Sequence, residues 1–261
     1  MKIAAYQFEI TKDIRRNLSV IKNAITMARG QDVNLIIFPE CCLTGYPPRN
    51  IECSHDVDFD KVYLACDEIQ CLVNELDICV IIGTIYKEQN CIFNRAICFK
   101  PNQKSVNYDK RALYGWDKDN FETGIEKGIF EIQGIKIGIR ICFEIRFPEY
   151  FRELYKEGTD LNIVLFYDVS DNENAERYSM IKGHLQTRAV ENVTTTISVN
   201  TILPYQTAPT AVFDKSGVIC RECNPGKEAM LIYEYVKIED DFGENGRRII
   251  SNHLVTDNII S

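Results

Sequence analysis

The sequence predicts an α/β protein, and three observations support this prediction. Short apolar runs with a two-residue period, typical of strands, recur along the 261 residues. Segments with apolar residues three or four positions apart, typical of helices, lie between those runs. A strand at 3–8, a helix from Ile14 to Ala28 that Gly30 ends, and a strand at 33–38 open the chain as β-α-β.

The later segments continue this alternation, with strands of mixed direction. A helical period runs from Val62 to Leu76, after a loop at 41–56. A polar and aromatic stretch at 101–127 is interpreted as a long connection. The other predicted elements are strands 79–86 and 92–99, hairpin strands 128–132 and 135–141, helix 148–157, strand 161–167, helix 175–192, and strands 194–200, 210–213, 218–220 and 229–236.

Composition restricts the classes of function. Residues 1–261 contain no tract that reads as a linker, so we expect a single domain. The net charge of -8 argues against a nucleic-acid partner. No signal-peptide layout opens the chain, and no apolar run approaches the roughly 20 residues of a membrane span. We therefore expect a cytoplasmic protein without a membrane partner, whose eleven cysteines are reduced thiols.

One predicted strand ends at a cysteine. Isoleucines at every second position of 135–141 indicate a strand that ends at Cys142, and Pro148 suits the first turn of the following helix. Cys142 therefore lies in a strand-to-helix turn at the carboxyl edge of a sheet, where α/β enzymes place their chemistry. A buried free cysteine usually behaves as a small apolar residue, and we expect this for most of the other ten.

Three motifs resemble the signatures of the nitrilase, or carbon-nitrogen hydrolase, superfamily, in order and at the usual separations. They are Phe-Pro-Glu at 38–40, Tyr-x-Lys-x-x-Leu at 108–113, and Ile-Cys-Phe-Glu-x-Arg-Phe-Pro-Glu at 141–149. Arg-Ala-Val-Glu-Asn at 188–192 and Asn200 are also similar to the family. The resemblance, to the amidase-like branch, together with the alternation of elements implies a four-layer α-β-β-α sandwich.

The resemblance implies roles for individual residues. Cys142 would be the nucleophile and Glu40 the general base and later acid, while Lys110 and the backbone N–H of Phe143 would stabilise the oxyanion. Singly, Glu40 and Lys110 would be interpreted as a loop residue and a surface charge; together with Cys142 at the motif positions, they favour catalysis. A lysine beside the thiol would also favour the thiolate.

The segment after the lysine departs from the family pattern. Asp117 stands where many members have a second glutamate, so it either orients the lysine and the substrate amide or is an ordinary turn residue. The histidines, His55, His184 and His253, do not suggest a papain-like pair. No cofactor and no metal site is implied.

The predicted function is hydrolysis of a small linear amide to a carboxylic acid and ammonia through a thioester. An N-carbamoyl hydrolase is an alternative, because the same groups cleave a ureido carbonyl, and a catalytically silent family member that acts as a binding module is another. The family implies a homodimer formed through helices 148–157 and 175–192. The acids at 168–176 form either a solvated loop or an acidic pocket wall, and the latter would favour neutral or amine-bearing substrates.

Overall fold

Two six-stranded sheets form the centre of the protein in the computed structural model, which describes residues 1–256. The strands are β1 (Lys2–Gln7), β2 (Leu35–Ile37), β3 (Cys79–Glu88), β4 (Cys91–Phe99), β5 (Val106–Asp109), β6 (Ile129–Ile132), β7 (Ile135–Ile141), β8 (Leu161–Leu165), β9 (Val169–Ser170), β10 (Thr195–Val199), β11 (Tyr205–Gln206), β12 (Ala211–Phe213), β13 (Ile219–Glu222) and β14 (Ala229–Glu234). The helices are α1 (Ile14–Arg29), α2 (Phe59–Leu76), α3 (Trp116–Asn120), α4 (Pro148–Lys156), α5 (Ala175–Asn192) and α6 (Phe242–Thr256). The last five residues of the predicted domain, 257–261, lie outside this description.

Both sheets have parallel strands at their centre. The first sheet has the order β14-β1-β2-β3-β4-β5, and β1, β2 and β3 are parallel. The second has the order β13-β12-β10-β8-β7-β6, and β7, β8 and β10 are parallel. Parallel neighbours bring their carboxyl ends to the same edge of a sheet, which is where ligands bind in open α/β sheets.

Apolar side chains fill three interfaces between the layers. Ile37, Ile81, Ile139 and Leu165 belong to the cluster between the two sheets. The other clusters lie beneath α1 and α2 on the first sheet and beneath α4 and α5 on the second. Burying an isoleucine or leucine side chain stabilises the fold by roughly 1.5–3 kcal/mol, so these clusters hold the layers together. The predicted α-β-β-α sandwich is confirmed.

The helices follow their sequence signals. In α1 the buried face contains Leu18, Ile21 and Ile25, as the periodicity predicts. The Asp13 carboxylate caps this helix by accepting hydrogen bonds from the backbone N–H groups of residues 15 and 16. No helix within residues 1–256 is both long and apolar enough to cross a membrane.

The main differences from the expectation lie in two parts of the chain, and the short strands β9 and β11 were also not predicted. The stretch at 101–127, expected to be a long connection, contains β5 and α3. Because β5 is a four-residue edge strand of mixed polarity in which Tyr108 alone is fully buried, it has no readable apolar period. Helix α6 was not predicted. It contains two glycines and is held by polar contacts, among them the hydrogen bond from the Tyr155 hydroxyl to Asn252 Oδ1 (2.6 Å).

Candidate active site

The ends of strands from both sheets meet at one cavity. Glu40 follows β2 and Lys110 follows β5 in the first sheet, whereas Cys142 follows β7 in the second. Lys110, Asp117, Cys142 and Phe143 contribute to the wall of this cavity of about 450 Å³. Larger open grooves, of about 790 and 1080 Å³, lie elsewhere and contain neither Cys142 nor Lys110. The chemistry of the side chains therefore identifies the site better than its size.

Glu40 is held by a close approach between two strands. A Cβ atom at Gly83, on β3, would lie 2.6 Å from the Glu40 Cα, so a glycine is required there. The chain turns sharply at Cys41, whose φ of 48° lies in the left-handed region. The Glu40 backbone N–H donates to the Phe166 carbonyl of the second sheet (3.3 Å). These contacts constrain the backbone of Glu40 and so limit the positions that its carboxylate can take.

Both oxygens of the Glu40 carboxylate accept hydrogen bonds. Oε1 accepts from Asn94 Nδ2 (2.7 Å) and from Lys110 Nζ (2.8 Å), and Oε2 accepts from the backbone N–H of Tyr167 (2.8 Å). Glu40 is 1% exposed, and this burial raises its pKa, although Lys110 opposes the rise. The result is an oriented carboxyl group whose affinity for a proton exceeds that of an ordinary glutamate.

Lys110 lies between two carboxylates. Its Nζ is 2.8 Å from Glu40 Oε1 and 2.6 Å from Asp117 Oδ2, and the residue is 1% exposed. Burial pulls its pKa down, but the carboxylates of Glu40 and Asp117 outweigh that effect and hold the pKa of Lys110 well above normal. The lysine is therefore a cation, and an ammonium group has one N–H beyond these two contacts.

Asp117 belongs to this cluster and is not an exposed turn residue. It lies on α3, is 4% exposed, and its Oδ1 accepts a hydrogen bond from the Tyr46 hydroxyl (2.7 Å). The Tyr46 ring stacks on Tyr167 with 5.2 Å between centroids. Two buried carboxylates, one buried ammonium and one half-buried phenol thus form a continuous network beside the cavity.

Cys142 begins the 3₁₀ turn that follows β7. Its φ of 46° lies in the left-handed region, a conformation that costs roughly 1–3 kcal/mol and is typical of functional sites. Burial raises its pKa well above the usual value, the Glu40 carboxylate adds to the rise, and Lys110 opposes it. The expected preference for the thiolate is therefore outweighed. The resting group is a half-buried thiol, which needs a base when it attacks.

The turn around Cys142 is fixed by its neighbours. Glu144 Oε2 accepts from the Ile141 backbone N–H (2.7 Å), and Glu144 Oε1 accepts from the Tyr108 hydroxyl (2.7 Å) and the backbone N–H of Arg111 (2.8 Å). Glu144 thereby connects the motif that contains the cysteine with the motif that contains the lysine. Phe143 packs at the cavity wall, where its ring stacks on Tyr114 at 6.1 Å.

The acids at the mouth of the cavity are paired with arginines. Asp168 Oδ1 and Oδ2 accept from Nε (2.8 Å) and Nη2 (2.7 Å) of Arg177, and Asp171 pairs with Arg49. All four residues line the cavity. The wall is therefore not simply acidic, because each of these two aspartates is matched by a cation.

Three groups that donate hydrogen bonds to Glu40 or Asp117 were not predicted from the sequence: the Asn94 side chain, the Tyr46 hydroxyl and the backbone N–H of Tyr167. One feature of the sequence pointed to Asn94: it and Arg95 are the polar residues of β4, whose other seven residues are apolar. Tyr46 stands in a loop rich in glycine and proline, and a backbone N–H leaves no signal in the sequence at all.

The chain is similar to known proteins over most of its length. The family model described as carbon-nitrogen hydrolase matches residues 2–237. The chain belongs to the carbon-nitrogen hydrolase family. Among curated relatives of this carbon-nitrogen hydrolase, an (R)-stereoselective amidase from a Pseudomonas species is 26% identical over 196 residues, which cover 73% of this chain and 66% of the relative. A 2-oxoglutaramate amidase from Bacillus subtilis is 28% identical over 163 residues, which cover 61% and 60%.

Solved structures share the fold of this carbon-nitrogen hydrolase. An amidase from Nesterenkonia sp. AN1, in complex with butyramide, matches with a TM-score of 0.79, covers 97% of this chain and 96% of its own, and is 22% identical. Another structure of that amidase shows acrylamide added to its active-site cysteine. At this identity the likeness establishes the sandwich alone. The alignments also span only 66% and 60% of the length of the two curated relatives named above.

Proposed function

We propose that this protein hydrolyses small linear amides to a carboxylic acid and ammonia, with Cys142 as nucleophile, Glu40 as base and acid, and Lys110 as oxyanion donor. The observation that carries the proposal is the buried ion-paired cluster of Glu40, Lys110 and Asp117, in which Lys110 and Asp117 line one cavity together with the Cys142 thiol. Amidases among the relatives, and the amide bound by the Nesterenkonia amidase, agree with it.

In the first half-reaction, the Cys142 thiol attacks the amide carbonyl carbon while Glu40 takes the thiol proton. Oε1 of Glu40 already accepts two hydrogen bonds and Oε2 accepts one, so Oε2 is assigned as the proton acceptor. The remaining N–H of Lys110 and the backbone N–H of Phe143 stabilise the oxyanion. The carbon-nitrogen bond then breaks, Glu40 returns the proton to the nitrogen, and ammonia leaves a thioester on Cys142.

In the second half-reaction, Glu40 takes a proton from water, which attacks the thioester carbonyl. The same two donors stabilise the second oxyanion, and the proton held by Glu40 passes to the departing sulfur. Carboxylic acid and free thiol result, so no external reductant or cofactor takes part in this sequence. Asp117 acts indirectly: it holds the Lys110 ammonium in position but neither takes nor gives a proton in these steps.

The charges around the cavity favour a neutral substrate. Arg49 and Arg177 are each engaged by an aspartate, and Lys110 is engaged by two carboxylates. An anionic group would have to compete with these carboxylates for a cation, whereas a neutral amide would not. We therefore expect neutral or amine-bearing amides and carbamoyl compounds to react faster than ω-amides of dicarboxylic acids.

The test is an ammonia-release screen across these three groups of substrate, with Cys142→Ala and Cys142→Ser as the inactive variants. Both should lose turnover with an unchanged melting curve. Cys98→Ala is a matched control, because Cys98 is a buried free thiol on β4 that does not line the cavity. Wild-type rates of ammonia release in either Cys142 variant would refute the assignment of Cys142 as the nucleophile. A catalytically silent binding module would give no ammonia from any group.

We also propose a homodimer formed through the outer faces of α4 and α5. Phe147, just before α4, is 36% exposed, and Met180, on α5, is 42% exposed. Light scattering at micromolar concentration should give twice the mass of 30.1 kDa, and a monomer would contradict the proposal.

A further inference from the structure

We propose that Asn94 is a positioning residue that holds the Glu40 carboxylate and the Lys110 backbone in one geometry, and that the Cys41 thiol fixes the orientation of the Asn94 amide. This inference rests on the proposed role of Glu40 as the base. It adds two residues, neither of which lines the cavity, to those that determine how the site works.

Asn94 contacts two members of the site with different atoms. It is 1% exposed on β4, the strand between β3 and β5. Its Nδ2 donates to Glu40 Oε1 (2.7 Å), and its backbone carbonyl accepts from the Lys110 backbone N–H (2.9 Å). Glu40 and Lys110 come from strands that are not neighbours. Beside their direct ion pair, Asn94 is therefore a second link that fixes one relative to the other within the first sheet.

The orientation of the Asn94 amide follows from its partners. An ionised carboxylate only accepts hydrogen bonds, so the amide nitrogen must face Glu40. Oδ1 then faces the Cys41 Sγ at 3.6 Å and accepts from its thiol. Burial raises the pKa of Cys41 well above the usual value, and the Glu40 carboxylate adds to the rise, so this thiol keeps its proton and remains a donor. A flipped amide would bring two acceptors together at Glu40.

This arrangement controls which oxygen of Glu40 takes the proton. With Asn94 and Lys110 both on Oε1, the less occupied oxygen is Oε2, which has a lone pair beyond its bond from Tyr167. Without Asn94 the carboxyl group gains freedom to rotate, and a proton on Oε1 competes with one on Oε2. A hydrogen bond to a carboxylate also lowers its pKa, so the loss of Asn94 raises the pKa of Glu40.

The experiment compares the pH dependence of kcat/KM for a neutral amide in wild type, Asn94→Ala, Cys41→Ala and Cys41→Ser. In Asn94→Ala the acid limb should move to higher pH, and kcat should fall by roughly 10²-fold with KM little changed, as for a misplaced catalytic group. Cys41→Ala should move the limb in the same direction by less. Cys41→Ser, which keeps a donor, should lie nearer to wild type than Cys41→Ala.

Asn162→Ala is the matched control for the loss of a buried asparagine. Asn162 is 1% exposed on β8, and its Oδ1 accepts from Thr159, away from the cavity. It should lose stability without a shift of the acid limb. A folded Asn94→Ala with the wild-type limb and kcat, or an equal shift in Asn162→Ala, would overturn the proposal.

A second measurement does not depend on turnover and separates this inference from the proposed function. The rate of iodoacetamide alkylation at Cys142, followed by peptide mass spectrometry against pH, reports the base directly. Asn94→Ala should move its acid limb upward, and Glu40→Gln should remove that limb. If no amide is turned over but these shifts occur, the positioning role stands and the proposed function fails. If alkylation is identical in wild type and Asn94→Ala, the positioning role fails.

Discussion

Lys110→Met should destabilise the fold far more than Asp117→Asn, although each change removes one charge from the same cluster. Methionine preserves most of the lysine volume but leaves Glu40 and Asp117, 1% and 4% exposed, without their shared cation. Removing one partner of a buried ion pair costs about 3–5 kcal/mol. Asp117→Asn leaves the ammonium paired with Glu40, and the amide oxygen can still accept, so a loss of about 1 kcal/mol is expected.

The losses of unfolding free energy in Lys110→Met and Asp117→Asn, here called their deficits, should also change with pH in opposite directions. Burial already raises the pKa of Glu40, Lys110 opposes the rise and Asp117 adds to it. Lys110→Met therefore raises this pKa further, and a carboxyl with a higher pKa folded than unfolded destabilises the fold as pH rises above its unfolded value of about 4.3. The Lys110→Met deficit should grow from pH 5 to pH 8. Asp117→Asn lowers the pKa of Glu40, so its deficit should shrink over the same interval.

The measurement is urea unfolding, followed by far-ultraviolet circular dichroism at pH 5 and pH 8, for wild type and both variants. Comparable slopes against urea would show that the variants unfold from similar structures. Equal losses of unfolding free energy in the two variants, or a Lys110→Met deficit that shrinks as pH rises, would contradict the description of Lys110 as the one cation between two buried carboxylates.

Three further changes test other parts of the site. Glu40→Gln should abolish ammonia release without accumulation of a thioester, because both half-reactions need the base; an acyl-enzyme mass in quenched samples would contradict this. Asp171→Asn frees Arg49 at the cavity mouth and should improve kcat/KM for a dicarboxylate monoamide several-fold relative to butyramide, more at low salt than at high salt. An unchanged preference would show that Arg49 does not reach the substrate. Gly83→Ala should lower kcat, since the added Cβ would lie 2.6 Å from the Glu40 Cα, whereas Gly183→Ala, with open space around it on α5, should be neutral; equal effects would argue against a specific contact.

Most of the longer strands and the motif residues were predictable because their signals are local. The alternating isoleucines predicted β7 up to Cys142, and the apolar run of β2 predicted a strand that ends shortly before Glu40. Strand β8 was predicted to extend to Tyr167 but ends at Leu165, since the chain leaves the ladder there and the Tyr167 N–H turns to Glu40. The end of a strand depends on the strands that pair with it, and the sequence of one segment does not reveal these partners.

The rest of the site depends on which strands are neighbours. Asn94 meets Glu40 because β4 lies beside β3, and the Tyr167 N–H meets Glu40 because the two sheets pack face to face. The charges of Asp168 and Asp171 were visible in the sequence, but the pairing of Asp171 with Arg49 was not, because these residues are 122 positions apart. Asp168 and Arg177 are only nine positions apart, and their pairing depends on the path of the chain between β8 and α5. Sequence patterns thus suggested the candidate reactive groups, whereas tertiary packing determined their environment.

The division of the site between two sheets has a consequence for how such an enzyme can change. Glu40 and Lys110 follow strands of one sheet and Cys142 follows a strand of the other, so the separation of the proposed base and the proposed nucleophile depends on the apolar layer between the sheets. A substitution such as Ile139→Val in that layer costs about 0.5–1.5 kcal/mol, which a stable protein tolerates. It would nevertheless alter the alignment of the reacting atoms. Adaptation to a new amide, in nature or in directed evolution, can therefore begin at residues that never touch the substrate.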